Sequence, residues 1–133
     1  MKLDILAFAA HPDDIELACS GTLIKHIKNG SKVGIIDLTE GELGSRGSRE
    51  LRYEEAGNAS KIIGNIAREN LNLGDGFFEV NEDSLMKVIE MIRKYKPEVI
   101  LCNATNDRHP DHGRGSELVK RAAFLSGLVK IET

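Results

Sequence analysis

The segment Leu3-Asp4-Ile5-Leu6-Ala7-Phe8-Ala9-Ala10-His11-Pro12-Asp13-Asp14-Ile15-Glu16-Leu17 changes character once, at His11. Before it, an apolar run broken only by Asp4 reads as a buried strand, about Leu3–Ala9. After it, Ile15, Leu17, Ala18, Leu23, Ile24 and Ile27 recur at helical spacing, so a helix starts at Asp13 or Asp14 and runs to about Lys28. Pro12 fixes its own φ and keeps His11 in extended backbone at the strand end. One imidazole and two carboxylates therefore sit at a strand-to-helix junction, the place where α/β folds bind ligands. A His with a carboxylate three residues on could form half of a metal site. The plainer expectation is that Asp13 or Asp14 caps the helix, with Glu16 completing a capping box. Capping accounts for one Asp and leaves His11 and the other Asp unexplained.

The pattern repeats along the chain. A strand of about Lys32–Leu38 leads into the polar loop Thr39–Gly47, and Ser48 caps a helix of about Arg49–Ile63 that Gly64 stops. A short strand, about Ala67–Leu71, precedes the loop Asn72–Asn81. A helix of about Glu82–Tyr95 places Leu85, Val88, Ile89 and Ile92 on one face. Pro97 opens a fourth strand, Glu98–Asn103, and a helix of about His112–Leu128 follows the loop Ala104–Asp111. Alternating strands and helices predict an α/β protein: a three-layer Rossmann-like fold with a mostly parallel sheet. Right-handed crossovers give the strand order 3-2-1-4, with the crevice between the ends of the first and fourth strands.

With 133 residues the chain is read as one domain. A net charge of -3 and only 5% aromatic residues, with no Trp, argue against nucleic acid or an anionic membrane as partner. Cys19 and Cys102 lie in apolar surroundings and read as buried thiols of a reducing compartment, so a cytoplasmic location is expected.

A second cluster, Asn106-Asp107-Arg108-His109-Pro110-Asp111-His112, also follows an apolar strand. His-Pro-Asp thus occurs twice, at 11–13 and 109–111. If the two strands are neighbours, His11, one of Asp13 or Asp14, and one of His109 or His112 could hold a divalent metal. Zn²⁺ is the first choice, and Fe²⁺ suits the same donors. A nucleotide-binding module is disfavoured, because no glycine-rich phosphate loop follows the first strand and His-Pro-Asp-Asp there would repel a phosphate. A metal-binding interaction protein without activity is the remaining alternative.

The two His-Pro-Asp motifs resemble those of the LmbE-like (PIG-L) zinc-dependent N-acetylglucosaminyl deacetylases. The resemblance extends to Gly21-Thr22-Leu23, Thr39-x-Gly41-Glu42, Arg52-x-x-Glu55-Ala56, Asp75-Gly76-Phe77-Phe78 and Ala122–Leu128, and runs from residue 1 to residue 133. It is nearest to the bacillithiol-biosynthesis branch, which removes acetate from N-acetylglucosaminyl malate. It implies His11, Asp14 and His112 as metal ligands, Asp13 as general base and His109 at the oxyanion or leaving amine. Arg52 is implied at the substrate. Asp111 is expected to pair with His109 and hold it protonated. Arg52, taken without the resemblance, would be a solvated cation on a helix face. Members of the family continue well beyond this length, so the chain is expected to be the N-terminal catalytic portion of such a domain. The expected partner is a small N-acetylglucosaminyl substrate, with a homo-oligomeric assembly.

Overall fold

The computed structural model describes residues 1–133. Strands and helices alternate throughout: β1 (Ile5–Ala9), α1 (Asp14–Lys28), β2 (Val33–Asp37), α2 (Arg49–Ile63), β3 (Ala67–Asn70), α3 (Glu82–Tyr95), β4 (Val99–Leu101) and α4 (Pro110–Leu125). All pairings are parallel and the order is β3-β2-β1-β4, as the crossover rule requires. Ile5 of β1 lies opposite both Val33 of β2 and Val99 of β4. β1 is therefore covered on both edges, and its five residues are all buried.

Each face of the sheet carries its own core. Leu6, Phe8, Ile36 and Leu38 pack with α3 and α4 through Leu85, Val88, Ile89, Leu118 and Val119. Ile5, Ala7, Ala9, Val33 and Ile35 pack with Ile15 and Leu23 of α1 and Ile63 of α2. The alternation along β1 follows the two-residue period of a strand. Leu17 departs from the helical pattern read in the sequence: it is 83% exposed, and Ala18 is exposed too. Cys19, with φ -147°, interrupts the helix just after them, so the first turn of α1 is not in phase with the rest.

Two boundaries matter for the site. α4 begins at Pro110, two residues earlier than the sequence pattern suggested, because proline's fixed φ suits a first helical position. Asp111 and His112 therefore project from a helical first turn. β4 is only three residues long, and the Asn103 side chain continues its work by accepting from the Ala10 N–H at 2.9 Å.

Candidate metal centre and active site

The β1–α1 junction is not a capping box. Asp13 occupies the N-cap with φ 113° and no side-chain cap bond, while Glu16 is turned to Arg68. A positive φ at a non-glycine residue carries strain of about 1–3 kcal/mol, which accumulates at functional sites. The Asp14 carboxylate faces back instead, accepting from the His11 N–H at 3.0 Å and from the Asn103 amide at 3.2 Å.

β1 and β4 being neighbours brings the two His-Pro-Asp segments together. Asp14 Oδ2 lies 3.7 Å from His11 Nδ1 and 3.3 Å from His112 Nε2. One donor atom from each of His11, Asp14 and His112 falls within 4.8 Å of the others. Each imidazole has its other nitrogen on a carboxylate. His112 Nδ1 meets Asp107 Oδ2 at 2.8 Å, and His11 Nε2 meets both Asp75 Oδ1 and Asp111 Oδ2 at 2.9 Å. That is how metal-ligating histidines are usually held: the outer nitrogen donates to a carboxylate and the inner lone pair is freed. Two nitrogens and one oxygen converging this way fit a divalent ion of the zinc type.

The charges agree. Burial opposes a proton on His11, but hydrogen bonds to Asp14 and Asp111 and the charges of Asp14 and Asp75 outweigh it and carry its pKa up to about 9. Burial likewise opposes charge on Asp14, and the hydrogen bonds from His11 prevail, holding it below the ordinary carboxylate range. The carboxylates of Asp14, Asp75 and Asp111 thus favour positive charge at the His11 ring. A second trio, His11, His109 and Asp111, is equally close, but Arg114 already lies 3.1 Å from Asp111 Oδ1 and Gly76 N–H binds Oδ2, so a metal there would have to displace a guanidinium.

His109 and Asp111 are not the pair the sequence suggested. The fully buried Asp111 carboxylate serves His11, Gly76 and Arg114, while only its backbone N–H reaches His109, at Nδ1 and 3.1 Å. The early start of α4 causes this, since it turns Asp111 inward and leaves His109 exposed at the N-cap. With Nδ1 accepting, the neutral His109 ring carries its proton on Nε2. Its ring stacks on His112 with centroids 5.1 Å apart and lies 4.7 Å from that of His11. Asp13 is exposed at the rim, and burial of its environment and the Asp14 charge push its carboxyl above the ordinary value.

Arg52 stands at the same rim. Its guanidinium donates to the Pro12 carbonyl at 2.9 Å and lies 4.0 Å from Asp13. The loop after β2 wraps it: a Cβ on Gly41 or Gly44 would meet the guanidinium at 2.7 or 2.8 Å, and Gly41 also needs φ +65°. Asp75, Asn103, Asp107 and Arg114 complete the surroundings, and none was singled out as a site residue from the sequence. Only Asp75, in the Asp-Gly-Phe-Phe run, and Asp107, beside the second cluster, lay in segments that drew notice.

Residues 6–123 match the GlcNAc-PI de-N-acetylase family, PIG-L. The chain belongs to the PIG-L family. Its relatives include the uncharacterized deacetylase YaiS of Escherichia coli, 33% identical over an alignment of 114 positions that covers 81% of this chain and 61% of YaiS. The diacetylchitobiose deacetylase of Thermococcus kodakarensis is 28% identical over an alignment of 134 positions that covers 93% of this chain and 50% of the relative. The solved structure of the conserved protein TT1542 from Thermus thermophilus superposes with a TM-score of 0.91 at 42% identity, covering 96% of this chain and 58% of TT1542. This PIG-L chain thus spans between half and three-fifths of the length of these relatives. The family and the fold agree with the reading of the sequence, and the family bears the name of a de-N-acetylase.

Proposed function

We propose that this chain carries the catalytic centre of a metal-dependent hydrolase that removes acetate from an N-acetylglucosaminyl group. The observation that carries the reading is the convergence of His11, Asp14 and His112, each imidazole backed by a carboxylate. His11, Asp14 and His112 would hold the ion, with Zn²⁺ preferred and Fe²⁺ compatible. A divalent metal in such a site lowers the pKa of a water toward about 7 and polarises the acetamide carbonyl. Asp13, adjacent in sequence to a ligand and exposed at the rim, takes the proton of the attacking water and passes it toward the leaving amine. His109 presents Nε2–H beside the ligand histidines, where a donor stabilises charge developing on the carbonyl oxygen. Asp111 acts behind His11.

For the substrate we propose N-acetylglucosaminyl-L-malate, the bacillithiol-branch reading, in a cytoplasmic protein that works as a homo-oligomer. Arg52, on the rim beside Asp13, supplies the cation that a dicarboxylate requires. The test compares kcat/KM for the malyl glycoside and for free N-acetylglucosamine, in the wild type and in Arg52→Ala, using the full-length polypeptide where one continues beyond residue 133. A hydrogen bond to a charged group contributes roughly 1.5–3 kcal/mol, so Arg52→Ala lowers the malyl value by about one to two orders of magnitude and the N-acetylglucosamine value much less. An unchanged ratio means Arg52 holds the sugar hydroxyls or the loop itself, which removes it as the malyl-recognition residue and weakens the malyl assignment. Failure of the metal-loaded protein to release acetate from either sugar removes the deacetylase reading itself.

A further inference from the structure

Two loops far apart in sequence meet on one buried carboxylate. Asp75 is 8% exposed. Its Oδ1 faces His11 Nε2 at 2.9 Å, its Oδ2 accepts from the Leu43 N–H at 2.9 Å, and its own N–H donates to Glu42 Oε2 at 2.9 Å. Leu43 and Glu42 belong to the glycine loop that encloses Arg52 between Gly41 and Gly44. The other carboxylate on His11, Asp111, is held from the same side by the Gly76 N–H at 2.9 Å. So Asp75 is the single side chain that touches both a proposed metal ligand and the loop seating the proposed substrate cation.

We propose that Asp75 is a positioning residue that couples metal occupancy at His11 to the ordering of the Gly41–Gly47 loop. The proposal rests on the reading of His11 as a ligand through Nδ1. A cation on Nδ1 withdraws electron density from the ring and makes Nε2–H a stronger donor. Asp75 is drawn onto it, and the other oxygen of the same carboxylate fixes Leu43 more firmly. The coupling is reciprocal, because a loop that holds Asp75 in place also holds His11 in the orientation the metal needs. Asn cannot substitute. Its one oxygen can accept from His11 or from Leu43, and its NH₂ then opposes the remaining N–H.

The experiment uses zinc alone as the probe. Amide hydrogen exchange at Leu43 is measured with and without zinc in the wild type and in Asp75→Asn, and zinc affinity is measured by competition with a chelator. Zinc is expected to slow Leu43 exchange in the wild type by at least about tenfold, since the amide must open before it exchanges. Asp75→Asn is expected to lose about 10–100-fold in zinc affinity, the usual scale for such a partner of a ligating histidine, and to lose the effect of zinc on Leu43. A purely structural Asp75 would lower the melting temperature of the metal-free variant and leave both zinc readouts intact, which would overturn the proposal. The wild-type arm stands even if the variant fails to fold: Leu43 exchange indifferent to zinc overturns the coupling. His11→Ala separates the layers. If it binds zinc as tightly as the wild type, the metal reading falls and the coupling with it. If it loses zinc while wild-type Leu43 ignores the metal, only the coupling falls.

Discussion

Asp13 and Asp14 are chemically identical neighbours with different surroundings, and the proposed division of their work rests on that difference. Asp14 is held by the His11 N–H and Asn103 and faces both imidazoles, whereas Asp13 sits exposed in strained backbone beside Arg52. Asp13→Asn is therefore expected to retain the metal and the fold while kcat falls by about 10²-fold or more, the scale of general-base loss. Asp14→Ala, His11→Ala and His112→Ala are each expected to lose most of the bound metal on elemental analysis. Full occupancy in the His11→Ala, His112→Ala double variant would refute the ligand set. A reversed pattern, with Asp13→Ala losing the ion and Asp14→Ala keeping it, would exchange the two roles.

Between elements, Arg68 of β3 ties three neighbours together. Its guanidinium grips Asp37 of β2 at 2.7 and 3.0 Å and Glu16 of α1 at 3.1 and 3.3 Å, and reaches the Ala56 carbonyl of α2. Removing one partner of a buried pair leaves an uncompensated charge, so Arg68→Ala should cost about 3–5 kcal/mol in chemical denaturation. A loss below about 1 kcal/mol would show that water replaces the guanidinium there. A second tie joins β3 to the end of α3, where Tyr95 and Lys94 bond to Glu69. The Tyr95 hydroxyl and then the Lys94 ammonium hold the Glu69 carboxyl below its ordinary value against burial. A depressed carboxyl contributes stability that is fully present above its unfolded pKa of 4.5 and is lost as pH falls through its folded value. Tyr95→Phe should thus lower the melting temperature near neutrality and converge on the wild type in acid, and a pH-independent difference would count against it. The strand order and the meeting of the two His-Pro-Asp segments were legible from periodicity and handedness, because those are properties of whole elements. The partner of Asp111 was not. It depends on α4 starting at Pro110 instead of His112, a two-residue shift that rotates a side chain from one neighbour to another. The partners of Arg68 and Asp75 were illegible for a related reason: a charged residue in a short strand or loop carries no periodic signal of what it will face.

For the molecule as a whole, the site is assembled from four connections: the β1–α1 junction, the loop after β2, the loop after β3 and the β4–α4 junction. All four open at the same end of a parallel sheet, which is where strand ends converge in this architecture. No helix is long and apolar enough to cross a membrane. The two cysteines are free thiols. A metal held by the proposed ligands would bind the folded arrangement and not the dispersed residues, so chelation should lower the melting temperature of the loaded protein. Zinc at a hundred times its Kd should restore about 2.7 kcal/mol. A melting temperature indifferent to chelator would mean that the folded chain holds no metal.

The separation of the two His-Pro-Asp segments has a consequence for biosynthesis. His11 and Asp111 are in contact across 100 residues of chain, and Asp14 and Asn103 across 89. A ribosome releases the first segment long before the second, and contacts of such sequence separation form late because the intervening loop must first be closed. Nascent chains arrested before His112 emerges hold His11 and Asp14 but lack the third donor. Metal capture should accordingly appear only as His112 emerges, and not before. An ion held by His11, Asp14 and His112 would tie the β1 end of the chain to the start of α4, acting as a reversible cross-link.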